Sequence, residues 1–355
     1  NANHPPLYRM AFSSWLEPLE AIQWGRGVAY LFSLLTIIAV IYLTRQVTQS
    51  RTLGLLAGAM MSMLPVAIRF SAYHRPYAVL IFLCTVHVIA INAWLNEDKR
   101  STAQWWVMLT AVAMVQTHYL SVPWLFFTST LIAVFFRSRW VQLWVYLPAF
   151  LSLVPLTKAV LKPQNNFQRA SGNIEEAIHA LVGMGLHHRG APAWMTSDLT
   201  HVVIAILVIH IACIRWLNKR QLVVLLSTVA LILSIVVLSQ KHQLTHSTQL
   251  IAAPLMICLT MSTAAIQRPP YRFLRMPFIF GTLYGVVCWM HLSQSRYKYD
   301  VESPRQFEQL QEFIQNWSDW VEPEEDVVFE TSSAHAVAQL LLTGQLYSNK
   351  IAEGC

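Results

Sequence analysis

The sequence predicts an all-α polytopic membrane protein, a bundle of about ten helices that runs into the start of a C-terminal extramembrane α/β domain. Three observations predict it. Hydrophobic residues make up 55% of the 355 and charged residues only 12%, with a mean hydropathy of +0.43, whereas soluble domains carry about a quarter charged residues. Acids are absent from 21–96, 99–174 and 199–299, as expected of segments that cross a bilayer, whose centre excludes carboxylates. Finally, the charge balance reverses near residue 300. Residues 1–299 hold 23 Lys and Arg against 7 Asp and Glu, and residues 300–355 hold 2 against 11. The two parts therefore differ in physical kind, an apolar basic bundle and an acidic solvated tail.

Taken in order, residues 1–26 form an outer-face segment in which 7–20 reads as a short amphipathic helix at the interface. The bundle occupies 27–292. Apolar runs suited to crossing fall at about 27–43, 53–70, 77–95, 104–118, 121–136, 140–160, 199–217, 221–239, 250–266 and 273–292. The stretch 104–136 is split in two because one helix of 33 residues would be about 50 Å long, well beyond the hydrocarbon thickness.

Charge decides in favour of the split. With it, Arg45, Arg51, Lys99, Arg100, Arg137, Arg139, Arg215, Lys219, Arg220, Arg268, Arg272 and Arg275 all fall in alternate short connectors, which the positive-inside rule makes cytoplasmic. The N-terminal segment, the 69–76 and 118–122 turns, the 161–198 loop, the 240–249 loop and the C-terminal part then face outward. The inward connectors read as plain basic links. The chain is thus expected in an inner or plasma membrane, multi-pass, with its unusual loops and its tail outside the cytoplasm.

In the long outer loop, Ile174, Ala177, Ile178, Leu181 and Val182 have the spacing of an amphipathic surface helix. From 293 to 355 the pattern turns soluble. Ser303-Pro304 followed by Phe307, Leu310, Phe313 and Ile314 reads as a capped helix, Asp326–Glu330 as a strand and Ala334–Leu342 as a helix, the beginning of an α/β domain expected to continue beyond Cys355. No charged n-region followed by an apolar core stands at the start, so no signal peptide is expected there, and His4-Pro5-Pro6 reads as the middle of a loop whose earlier part has been cut away. Cys84, Cys213, Cys258 and Cys288 stand in apolar runs as small hydrophobes and Cys355 is terminal, so no disulfide framework is expected.

Three polar-aromatic clusters interrupt the apolar sequence on the outward side: Asn3-His4-Pro5-Pro6-Leu7-Tyr8, Arg75-Pro76-Tyr77 and Thr117-His118-Tyr119-Leu120. The two prolines hold His4 in an extended turn, and His4 can donate to a phosphate or a sugar hydroxyl; the same residues also serve simply to start a helix. Arg75 stands before a Pro-Tyr helix start at headgroup level. A guanidinium there suits a lipid phosphate because it binds bidentately and stays charged, although Arg and Tyr are also common interfacial anchors. His118 and Tyr119 end a span on the same side, where they either line a cavity or cap a hairpin, and Lys241 adds an outward cation. His242 and His246 are four apart, as metal ligands on one helix face would be, but have no acid or Cys beside them, so no cofactor is expected, a divalent metal remaining the alternative. His87 and His210, mid-span, are expected to bond to neighbouring helices.

In order and spacing these clusters, with Gly25-Arg26 between the first two, resemble the GT-C glycosyltransferases, and most closely the group related to protein O-mannosyltransferases and aminoarabinose transferase. The resemblance covers roughly 1–160 and is looser beyond, where the tail is similar to the extramembrane domain that such proteins carry. It implies transfer of a sugar from a polyprenyl-phosphate donor to an acceptor on the outer face, with His4, Tyr8, Arg75, Tyr77, His118, Tyr119 and Lys241 as the donor-binding set. It also implies a catalytic Asp or Glu upstream of the His-Pro-Pro motif, hence N-terminal to Asn1. The chain departs from the pattern where Tyr73 replaces an acid and Ser247-Thr248-Gln249 replaces an Arg-Tyr pair. Partners implied are the lipid-linked sugar, the bilayer and an acceptor the residues do not identify; nucleic acid is not expected. The competing readings are a transporter or flippase of lipid-linked saccharides, disfavoured by spans without carboxylates, and a catalytically dead relative.

Overall fold

The computed structural model describes residues 18–64, 67–68, 71, 76–95, 100–118, 121–136, 143–154, 204–239, 252–266, 271–281, 283–284 and 287. All regular structure among them is helical, with no strand. The interfacial stretch 7–17, the long outer loop and the whole α/β tail lie outside the described residues.

Helix α1 spans Pro18–Thr48 without interruption. It passes through residue 26, so 18–26 belongs to the same rod as the first apolar run and is not part of a separate surface helix. The reason is local: proline is tolerated in the first turn and nothing after it breaks the helix until the chain turns at Gln49. Gln49 adopts a left-handed φ of 58°, and its N–H donates to the Arg45 carbonyl at 2.9 Å, which is the αL type of helix ending. Ser50 then caps α2, Arg51–Met63, by accepting from the Leu53 N–H.

This two-residue link folds α2 back on α1, and small residues let the helices close. A Cβ at Gly54 would come within 2.9 Å of the Ile41 carbonyl oxygen, and one at Gly58 would collide with the Ile41 side chain. Gly54 and Gly58 stand four apart with buried Ala57 between them, the small-residue spacing of tightly packed apolar helices. α2 stops at Met63, and Leu64 is already extended. Pro65 follows and disfavours a helical Leu64, so the 53–70 run is not one continuous helix.

Helix α3, Tyr77–Leu95, buries most of its length, and packs against α1 and against α4, Arg100–Thr117. The predicted split of 104–136 is present: α4 ends before His118, and α5, Ser121–Phe135, begins three residues on. Pro123 falls in the first turn of α5, where its missing N–H costs nothing. Beyond their shared turn α4 and α5 part, and α5 packs instead on α7, Lys219–Ser239, to whose Ser227 carbonyl Trp124 donates through Nε1 at 3.0 Å. The 140–160 run is more broken than its hydropathy suggests, with a 3₁₀ stretch at 143–146 leading into α6, Leu147–Leu151. The chain is helical again at 204–212 and closes that run with the 3₁₀ turn Ile214–Trp216. Helix α8, Ala252–Ala265, is buried nearly all round, as befits a helix at the centre of an apolar bundle.

Three helical segments among the described residues are long and apolar enough to cross a membrane, Trp24–Thr48, Tyr77–Leu95 and Lys219–Val236; α5 and α8 are shorter apolar helices. The outer face of α1 carries Tyr30, Leu34, Ile38 and Tyr42, between 42% and 61% exposed. Their four-residue spacing makes one continuous apolar stripe, which water would penalise and lipid would not. Cys84, Cys213 and Cys258 are buried, in line with their reading as small hydrophobes.

Candidate functional site

The described part of the bundle has two polar ends and one polar centre. The first end gathers the starts of α3 and α5 and the finish of α4. Leu80 donates its N–H to the Pro76 carbonyl at 2.9 Å, so Pro76 opens α3 and fixes Tyr77 as its first helical residue. At the finish of α4, the His118 N–H still reaches the Met114 carbonyl at 2.9 Å. The His118 carbonyl then accepts twice from Ser121, from its N–H at 3.1 Å and its hydroxyl at 2.8 Å. Such a doubly bonded turn holds the imidazole at the rim, half-buried. There the rings of Tyr77 and His118 meet with centroids 5.3 Å apart and planes inclined by 34°.

Two of the seven candidate donor-binding residues are thus brought into contact, from clusters some forty positions apart. Arg75 lies two residues before Tyr77 and Tyr119 directly follows His118, but both are outside the described residues, as are His4, Tyr8 and Lys241. His242 and His246 are outside as well. Among the described residues no group of three or more His, Cys, Asp or Glu side chains is arranged to hold a metal.

At the centre is His87, fully buried on α3. Its Nδ1 lies 2.7 Å from Thr110 Oγ1 on α4. The Thr110 hydroxyl also lies in hydrogen-bond reach of the backbone carbonyls of Trp106 and Val107, so the imidazole is tied to the backbone of α4. The other ring nitrogen, Nε2, pairs with the Tyr146 hydroxyl at 3.3 Å. The rings of Trp124 and Tyr146 stand edge-on to the imidazole, 5.6 and 5.7 Å away. Three other segments of the chain close on this one side chain, and both its nitrogens are satisfied. It is a structural hub that fixes α3 against α4 and so aligns Tyr77 with His118.

His210, the second mid-span histidine, is bonded on one side only. Nδ1 lies 2.8 Å from the Ile206 carbonyl and 3.0 Å from Ser262 Oγ on α8, while Nε2 has no partner among the described residues. Both histidines therefore bond to neighbouring helices as their mid-span positions predict.

The second end was not singled out by sequence beyond its charge. Gln46 in the last turns of α1 accepts from Asn92 Nδ2 near the end of α3 at 3.2 Å and donates to the Tyr42 hydroxyl at 2.5 Å. Its backbone carbonyl accepts from Gln49 Nε2 at 2.7 Å and from Arg220 Nη1, at the start of α7, at 3.3 Å. The available signal was two carboxamides, Gln46 and Asn92, near the ends of apolar runs. Hydropathy counts them only as blemishes. Far from being plain links, the basic connectors here build a shared polar floor.

The two ends lie at opposite termini of α3 and of α4, and each gathers the helix ends that the alternating count assigns to one side. Lys99 directly precedes α4 and His118 directly follows it, so one helix of 18 residues separates them. No protein-family model, curated protein or solved structure matches this chain.

Proposed function

We propose that the protein is an integral-membrane glycosyltransferase that moves a sugar from a polyprenyl-phosphate donor to an acceptor on the outer face of a polytopic bundle. The observation that carries the reading is the Tyr77–His118 contact. It joins two of the three clusters whose order supports the GT-C resemblance, and it does so at the helix ends assigned outward by charge.

In this reading the acceptor hydroxyl attacks the anomeric carbon, the bond from that carbon to the phosphate oxygen breaks, and the hydroxyl proton passes to a carboxylate base. The departing phosphate gains negative charge, which Arg75, with His4 and Lys241, stabilises in a water-poor vestibule. Tyr77 holds His118 in place beside the donor, and Tyr8 and Tyr119 complete the donor-binding set that the resemblance implies. The base is the upstream acid that the resemblance implies. Placement in an inner or plasma membrane, with these loops outside the cytoplasm, goes with the proposal.

The test is transfer of a labelled sugar from polyprenyl phosphate in vesicles containing the full-length protein. Arg75→Ala should lower turnover by roughly 100-fold or more, the scale of removing a charge-stabilising donor. Turnover equal to that of the unaltered protein would remove Arg75 from the reaction.

A further inference from the structure

We infer that the cleft at the opposite end, between the finish of α1 and the starts of α2 and α7, is a binding site for a phosphate-bearing anion. It encloses about 440 Å³ and is lined by Tyr42, Arg45, Gln46, Gln49, Arg51 and Arg220, a size that admits a small ligand or a headgroup. Three of its six lining residues are arginines and none is acidic. Arg220 is 174 positions from Gln46, whose carbonyl it meets, so the guanidinium groups converge through tertiary packing and not as a run of basic sequence.

The cleft is built before any anion arrives. Gln46 is fixed by Asn92 and Tyr42, and the α1–α2 link is fixed by Gln49 and the Ser50 cap. Arg220 spends one donor on the Gln46 carbonyl at 3.3 Å, which leaves four of its five for a ligand. Arg45 and Arg51 are exposed, with no carboxylate partner among the described residues. Two helices, α2 and α7, also begin at the cleft, and their first-turn N–H groups add positive potential. Planar guanidinium groups bind phosphate oxygens bidentately. Basic pockets between helices at a membrane surface take anionic lipid headgroups in the same way.

The experiment uses full-length protein in nanodiscs and in detergent, with two probes. Retention of phosphatidylglycerol over phosphatidylcholine is read by native mass spectrometry, and sodium pyrophosphate binding by the shift in melting temperature. Binding of phosphatidylglycerol alone assigns the site to a lipid headgroup, and binding of pyrophosphate assigns it to a soluble phosphate. The paired variant Arg45→Gln/Arg51→Gln, both exposed and so compatible with folding, should weaken the bound probe at least tenfold. Arg215→Gln, an exposed arginine on the same side but outside the cleft, should leave binding within twofold. The inference is overturned if neither probe binds, or if Arg215→Gln weakens binding as much as the pair. It is likewise overturned if binding emerges only in Glu97→Gln/Asp98→Asn, which would mean that the acids following α3 already occupy the arginines.

Discussion

The two ends of α3 and α4 are polar in different ways. At one, Tyr77 and His118 meet ring to ring above a turn held by Ser121. At the other, Gln46, Asn92 and Arg220 are joined by directional hydrogen bonds beneath exposed arginines. Between them, among the described residues, the apolar interior holds a hub at His87 whose two ring nitrogens are both bonded. The contrast shows how a bundle whose apolar runs carry no carboxylate distributes its chemistry. Aromatic and imidazole rings tolerate the rim of an apolar site, whereas guanidinium groups are held where water or headgroups can solvate them.

The largest effect expected at either end is the loss of transfer in Arg75→Ala, with the arginine-lined cleft unaffected. If that variant also abolishes anion binding at Arg45 and Arg51, the ends are not independent. Next comes the hub. His87→Ala removes the imidazole and leaves Thr110 and Tyr146 without their partner, so stability should fall by roughly 3–5 kcal/mol, the scale of a large core truncation. Chemical unfolding in mixed micelles measures it; a change near zero would show that α3 and α4 are aligned by something else.

Gly54→Val aims at one end alone. Its added atoms meet the backbone carbonyl of Ile41, which cannot swing aside, so overpacking should cost about 1–3 kcal/mol. It should loosen the cleft and leave transfer nearly intact. Crosslinking of paired cysteines on α1 and α2 checks it, and unchanged yields would mean that the helices pack elsewhere. The smallest effect belongs to Tyr146→Phe, which removes the hydroxyl paired with His87 Nε2 but keeps the ring. A loss of about 0.6 kcal/mol, typical of a hydrogen bond in an apolar bundle, is expected from the same unfolding measurement. A loss above about 2 kcal/mol would identify that hydroxyl as a principal support of the hub.

Much of the helix map was legible because its signals are local. The break at 118–121 followed from a length that no bilayer accommodates together with the charge alternation. The opening of α3 followed from Pro76-Tyr77. Local signals also misjudged some boundaries. Hydropathy started the first span at 27, whereas backbone hydrogen bonding continues unbroken from Pro18, and the 53–70 run ignored the effect of Pro65 on Leu64. Of the proposed donor site, the contact between Tyr77 and His118 is now visible.

Amino-acid order by itself determined which segments are helical and apolar, where acids are excluded and which connectors carry cations, since each of these depends on neighbours within a turn or a span. Tertiary structure decided what no periodicity encodes. It turned Gln46 toward Asn92 and Arg220, closed Thr110, Trp124 and Tyr146 around His87, and let Gly54 meet Ile41. The rotation and tilt of one helix against another are set by the summed fit of many small contacts, and that sum exists only once the chain has packed.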